Sequence, residues 1–413
     1  MTRQPSAEDS VGSDIDSAYA WRRLAVCLAL GTLGGCGMWT VVVALPVVQV
    51  EFGVSRAAAS LPFAMTTIGF ALGGVLSGRL ADRFGILLPV ALATGMLALG
   101  YGLAGLSANL WQFTVAYGVL IGLGTSATFG PLMADISKWF VRNRGVAVSI
   151  AAAGNYAAGA IWPPVAQALI DGYGWRSAHV VIGAICLLTM LPLTLVLRRR
   201  APAYHAAAEP GPVFDPRGTL GISPGRLQAL ICIAGLCCCV AMSMPQVHIV
   251  AYCGDLGYGV ARGAEMLALM LGFGVVSRIG SGFIADRIGG VATLLLGSAL
   301  QGAALVFYLM LDGLTSLYIV SALFGLFQGG IVPSYAIIIR EYFPPREAGT
   351  RVGLAIMATL LGMAFGGWVS GKIFDLTGSY MAAFANGLAF NLVNVAIAAW
   401  LLLRAGRPRF AAA

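Results

Sequence analysis

The chain has 413 residues, 59% of them hydrophobic and 10% charged, where an ordinary soluble domain carries about 25% charged residues. At a mean hydropathy of +0.85 there is too little polar side chain to coat a globule in water, so lipid must solvate most of the surface. A soluble enzyme, a disordered chain and a nucleic-acid module are excluded, because the net charge of +8 comes from arginines at the ends of apolar runs, a topology signal in membrane proteins.

Residues 1–21 are polar, with Glu8, Asp9, Asp14 and Asp16, and read as an N-terminal tail. Twelve apolar runs follow, at 24–48, 57–77, 86–106, 110–136, 144–169, 178–197, 227–251, 262–284, 290–310, 315–339, 350–371 and 380–403. Each is near the roughly 20 residues a helix needs to cross hydrocarbon. The first lacks the short apolar core and cleavage site of a signal peptide and reads as a retained helix. A linker rich in Arg, Pro and Gly, 198–226, separates a first half, 22–197, from a second, 227–403, and a basic tail, 404–413, ends the chain. Alternating ten-residue strand segments of the lipid-facing kind are not seen. The expected fold is an all-α integral membrane protein with twelve transmembrane helices in two six-helix, pseudo-symmetric halves. Of the 25 Lys and Arg residues, 20 fall on one face and four on the other (Arg56, Arg176, Arg262 and Lys372). This asymmetry puts both termini and the linker on the cytoplasmic side of a cell (inner) membrane. Arg278 belongs to neither face.

The halves repeat one another. Gly78-Arg-Leu-Ala-Asp82-Arg83-Phe-Gly85 returns as Gly282-Phe-Ile-Ala-Asp286-Arg287-Ile-Gly289, 204 positions on, and Asp171-Gly-Tyr-Gly returns as Asp375-Leu-Thr-Gly at the same shift. Gly53-Val-Ser-Arg56 returns as Gly259-Val-Ala-Arg262 at a shift of 206. Three collinear matches argue for duplication, and two such halves place a substrate site at the midplane and expose it alternately by rocking.

The segment Gly78 to Gly85 and its repeat resemble the loop signature of the major facilitator superfamily. Within it, Trp139-Phe-Val-Arg142-Asn-Arg144-Gly-Val-Ala147 and its continuation to Gly154 resemble the segment before the fifth helix of monocarboxylate transporters and oxalate–formate antiporters. The run from Asp375 to Tyr380 is similar to that group as well. Two features depart from the animal carriers: the first span lacks their acidic signature and lysine, and Gly274 stands where they place an acid one turn before an arginine.

Arg278 lies eight residues before Asp286, about 12 Å into the span at 1.5 Å per residue. Holding it there costs roughly 2.5–3.5 kcal/mol on insertion scales, so a pathway or a substrate is the default reason for it. The repeat maps position 278 onto Gly74, so the shared scaffold does not require an arginine. A guanidinium presents a planar fork matched to a carboxylate, and Arg278 is therefore the expected anchor of a small organic anion. The resemblance implies the same role. The oxalate exchangers carry a second cation on the eleventh span, where this chain has none before Lys372, so one carboxylate is favoured over two.

His248 is read as the only histidine inside a span core, near the outer end of the seventh span, with Asp255 at the following junction. Both can exchange protons near neutral pH. The bacterial lactate carriers that the chain resembles couple anion to proton, so His248 and Asp255 are taken as a proton-coupling pair. Trp39, Tyr117, Tyr156 and Tyr335 are the expected substrate-binding wall, with Asn155, Gln246 and Gln328 as secondary candidates. Gly78, Asp82, Arg83, Asp286 and Arg287 are read as a conformational latch in which an acid pairs with a neighbouring helix N-terminus.

The eight cysteines read as small hydrophobes. No ligand cluster for a metal, no nucleotide cradle and no cofactor is expected. The leading function is a secondary transporter of small monocarboxylates, lactate- or pyruvate-like, by proton symport, as a monomeric unit in the lipid bilayer. The alternative is an organic-anion antiporter of the oxalate/formate type without proton coupling. No enzyme is expected, since no nucleophile constellation is visible.

Overall fold

The structure, a computed structural model, describes residues 15–199 and 220–405. The first fourteen residues, most of the linker with His205, and the end of the basic tail lie outside the described residues. Secondary structure among the described residues is helical throughout. We number the helices α1 Ala18–Phe52, α2 Arg56–Phe84, α3 Leu87–Gly105 and α4 Leu110–Ile136. Next come α5 and α6, the arms 144–173 and 175–195 of one run. The second set is α7 Pro224–Asp255, α8 Val260–Ile288, α9 Gly290–Met310, α10 Leu314–Tyr342, α11 Pro345–Thr377 and α12 Tyr380–Ala405.

α1 starts six residues before the expected 24, because Ser17 caps it by accepting from the Ala20 amide at 3.2 Å. The expected gap between the fifth and sixth spans shrinks to one residue. Gly174, at φ +77° and ψ 157°, interrupts a run of 52 residues that at 1.5 Å per residue would be about 78 Å long, far beyond the hydrocarbon thickness. Eleven continuous apolar helices therefore amount to twelve spans among the described residues.

The repeats seen in the sequence fall where the chain turns. Gly53 and Gly259, Gly85 and Gly289, and Gly174 and Gly378 all take positive φ, between +59° and +89°, a region that only glycine enters cheaply. Duplication has preserved the backbone of each turn as well as its letters.

The helices pack as two compact units, residues 15–44 with 68–199 and residues 45–67 with 220–405. In the first, α1 and α5 meet through glycine: a Cβ on Gly154 would stand 3.1 Å from the Leu28 carbonyl. Close backbone approach of this kind is how helices associate in a solvent as apolar as their own side chains. The Trp39 and Trp162 indoles reinforce the seam by donating to the carbonyls of Asn155 at 3.1 Å and Thr32 at 2.9 Å. In the second unit a Cβ on Gly325 of α10 would run into the Met270 carbonyl of α8. Near the basic end of the first unit, fully buried Arg23 pairs with Asp135 at 2.8 Å, donates to the Arg199 carbonyl at 3.1 Å, and lies 4.6 Å from the Trp139 ring centre. Three helices are broken: α1 at Gly35, α4 at Thr128–Phe129 and α10 at Gly329–Gly330. Interrupted helices are tolerated in a membrane only where protein or a cavity receives the freed backbone groups.

Candidate transport site

Arg278 sits on α8, and the helix decides where it points. Residues three, four and seven apart share a face, which groups Arg278 with Leu271, Gly274 and Ala285, all buried, with half-buried Val275 and Ser281, and with exposed Gly282 toward the loop. The exposed apolar stripe of α8, Val276 at 59% and Phe283 at 65%, lies on the opposite side. Arg278 as a residue is half-buried, and its Nε is shielded from solvent. Arg278 thus leaves the helix on its packed face rather than toward lipid.

The second cluster lies at the sparsely basic end of the unit formed by 45–67 and 220–405. His248 of α7 is fully buried; its Nε2 lies 2.8 Å from the Gly367 carbonyl of α11 and its Nδ1 3.1 Å from the Tyr380 hydroxyl of α12. The same hydroxyl receives Arg56 Nη1 at 2.8 Å, and Arg56 Nη2 reaches Asp255 Oδ1 at 3.2 Å. The Arg56 guanidinium packs 4.6 Å from the Phe374 ring centre. Asp375 closes the cluster from α11, accepting from the backbone amides of Arg56 at 2.8 Å and Ala57 at 2.9 Å. It caps α2 where the helix dipole favours an anion. His248 and Asp255, expected as a pair, are not in direct contact: Tyr380 and Arg56 stand between them. Arg56, in sequence one of four outer-face basic residues, is the centre of this cluster in the structure. The signal was available, since Arg56 closes one of the duplicated motifs and Asp375 opens another.

The aromatic wall divides. Tyr117 is fully buried and donates to His179 Nε2 at 2.7 Å, while His179 Nδ1 donates to the Trp175 carbonyl at 2.6 Å. Thr40 lies 3.4 Å from the Tyr117 hydroxyl and 2.7 Å from that of Tyr101. His179 is therefore a second histidine inside a helix core, correcting the expectation that His248 is the only one; the one-residue turn at Gly174 pulls it a full turn into α6. Tyr335 is equally enclosed, its hydroxyl donating to Asn394 Oδ1 at 3.1 Å. The Tyr117 and Tyr335 hydroxyls are taken inside their own bundles, so neither tyrosine is offered to cargo in this structure. The Trp39 indole is likewise spent on the Asn155 carbonyl. Tyr156 is buried on α5. Gln328, at the α10 break, is fully buried with both amide atoms lacking a protein partner among the described residues, and Gln246 Oε1 is in the same state.

Asp82 and Arg83 are exposed, with Gly78 half-buried a turn earlier on α2, and Asp286 and Arg287 are exposed in the other unit. At that end of the second unit the acid capping a helix start is Glu341, which accepts from the Gly290 amide at 2.9 Å. No group of three or more metal-ligating side chains occurs among the described residues.

Two units of long apolar helices, joined by duplicated turns and broken in places, define a multi-pass membrane protein. The Major Facilitator Superfamily model matches residues 27–317 and again 273–411, so the chain belongs to that superfamily and is a transporter, not an enzyme. It is similar to monocarboxylate transporter 13 of Rattus norvegicus, 29% identical over 81% of this chain and 77% of that protein. It is also similar to monocarboxylate transporter 11 of Homo sapiens, 26% identical over 93% of this chain and 82% of that one. Among solved structures, the nucleoside transporter NupG shares the fold at a TM-score of 0.73 and 13% identity, over 92% of this chain and 99% of that chain.

Proposed function

We propose that the protein carries small monocarboxylates of the lactate or pyruvate kind together with a proton, by alternating access. Its place is the cell (inner) membrane, with both termini in the cytoplasm. One observation carries the reading: Arg278 leaves α8 on the packed face, opposite the exposed apolar stripe. A permanently charged fork held at that depth is offset by an anionic partner, and a carboxylate fits it in shape and charge. A single such cation balances one carboxylate, and Lys372 is exposed near the end of α11. The names of the similar carriers agree with this substrate class. Gln328 and Gln246, with unspent polar atoms, are the better candidates to orient the cargo than Tyr117 or Tyr335. Trp39 and Tyr156 are assigned to the apolar wall.

The proton is assigned to His248, with Asp255 acting through Tyr380 and Arg56. Asp82, Arg83, Asp286 and Arg287, with Gly78 one turn before Asp82 on α2, form the latch that changes as the halves rock. The test is uptake of labelled lactate, pyruvate, formate and oxalate into proteoliposomes, with and without an inward proton gradient. Saturable lactate or pyruvate uptake stimulated by the gradient is expected. Uptake blind to the gradient but accelerated by internal oxalate would identify an exchanger instead.

A further inference from the structure

The hydrogen bonds around His248 leave one arrangement of protons. The Gly367 carbonyl can only accept, so Nε2 carries the ring hydrogen. Nδ1 then has only a lone pair, and the Tyr380 hydroxyl must donate to it. The Tyr380 oxygen is thereby free to accept from Arg56 Nη1. With His248 neutral, both ring nitrogens and the Tyr380 hydroxyl are satisfied, and Arg56 keeps Nη1 on Tyr380 and Nη2 on Asp255.

Adding a proton breaks this order. A protonated Nδ1 must donate, and the group it faces is the Tyr380 oxygen that already accepts from Arg56; the tyrosine hydrogen loses its acceptor, and two cationic donors then share one oxygen. The new imidazolium would also stand within about 6 Å of the guanidinium, two hydrogen bonds away, where like charges repel. The charged and titratable groups that face His248 are Arg56 from α2, Asp375 from α11 and Tyr380 from α12, with Asp255 further along its own helix. Of these Arg56 is the nearest full charge on the path, and the two acids are both engaged with the Arg56 segment.

Arg56 also holds a segment of the chain in place. Residues 45–67 join α1 to α2, yet they pack with the unit that contains α7, α11 and α12. Asp375 fixes the start of α2 through its backbone, Arg56 fixes it through its side chain, and the glycine face of α11 receives it: a Cβ on Gly371 would stand 3.0 Å from Ala57, and one on Gly367 3.2 Å from Phe63. The residue whose carbonyl holds the histidine proton is thus also under the docked segment.

We propose that Arg56 is a proton-sensitive clasp, holding the α1–α2 segment on Tyr380 and Asp255 while His248 is neutral and releasing it when His248 takes a proton. The proposal rests on the symport reading above and gives it a mechanical link: proton binding and undocking are the same rearrangement, so each changes the equilibrium of the other by one factor. At the separation above, that factor is on the order of tenfold to a hundredfold.

The test is a spin-label distance measurement between Val50→Cys and Leu376→Cys, both exposed positions, on a Cys232→Ser background in lipid nanodiscs without any carboxylate. A single short distance is expected near pH 8, with a longer population rising at least about tenfold near pH 5.5. His248→Gln should hold the short distance at both pH values, and Arg56→Gln should show the longer one at both. Tyr380→Phe, which keeps the ring packing, should flatten the response; helical content and thermal midpoint check that each variant is folded. A His248→Gln protein that responds like its parent, or an Arg56→Gln protein that stays closed near pH 8, overturns the clasp. Because no cargo is present, a failed lactate assay would leave this result standing, and a pH-blind distance would leave the cargo assignment standing.

Discussion

Replacing Arg278 with Gln removes a charge but keeps a polar side chain of similar reach, so it isolates the electrostatic part of cargo binding. Removing one member of a desolvated charge pair costs about 2–5 kcal/mol, much of it from the partner left uncompensated. Arg278 is half-buried rather than fully enclosed, which places its loss in the lower part of that range, about 2–3 kcal/mol. At about 1.4 kcal/mol per tenfold, the half-saturating lactate concentration should rise roughly 30- to 150-fold. Arg278→Lys restores the charge without the fork and should recover about a tenfold part of the loss. The assay is initial-rate uptake in proteoliposomes over a wide lactate range, with reconstituted protein quantified and its thermal midpoint compared with the parent. A mutant with unchanged half-saturation for every carboxylate tried would refute the assignment. So would a loss that appears only as fewer folded molecules.

Three further outcomes follow from the packing. Asp135→Ala strips the ion-pair partner from an arginine that is fully buried, and should cost about 3–5 kcal/mol, read as a lowered thermal midpoint in detergent. Gly325→Ala drives a methyl group against the Met270 carbonyl, a backbone atom that cannot rotate away; a penalty of about 1–3 kcal/mol or more should appear in the same assay, while Gly280→Ala, with open space around it, should stay near the parent. Asp82→Asn should redistribute the two access states, measured by labelling of cysteines placed at each face, and leave half-saturation for lactate within about twofold; unchanged state populations would remove Asp82 from the latch.

The fold class was legible in the chain because hydrophobic composition and span length act locally: a run of about 20 apolar residues has few stable solutions in lipid other than a helix. The duplicated motifs were legible for a related reason, since each marks a turn where the backbone itself demands glycine. Arg278 stood out because its cost is a property of one residue and its depth. The partners of His248 did not, since Arg56, Gly367 and Tyr380 come from three other helices and lie 192, 119 and 132 positions away. The enclosure of Tyr117 by His179 likewise depended on a one-residue turn whose length periodicity could not set. Sequence by itself determined that this chain lives in lipid, how often it crosses, and which charge is out of place there. Only the tertiary structure decided which buried polar groups satisfy one another, because a hydrogen bond is set by distances of a few ångströms between helices whose approach is governed by small residues elsewhere.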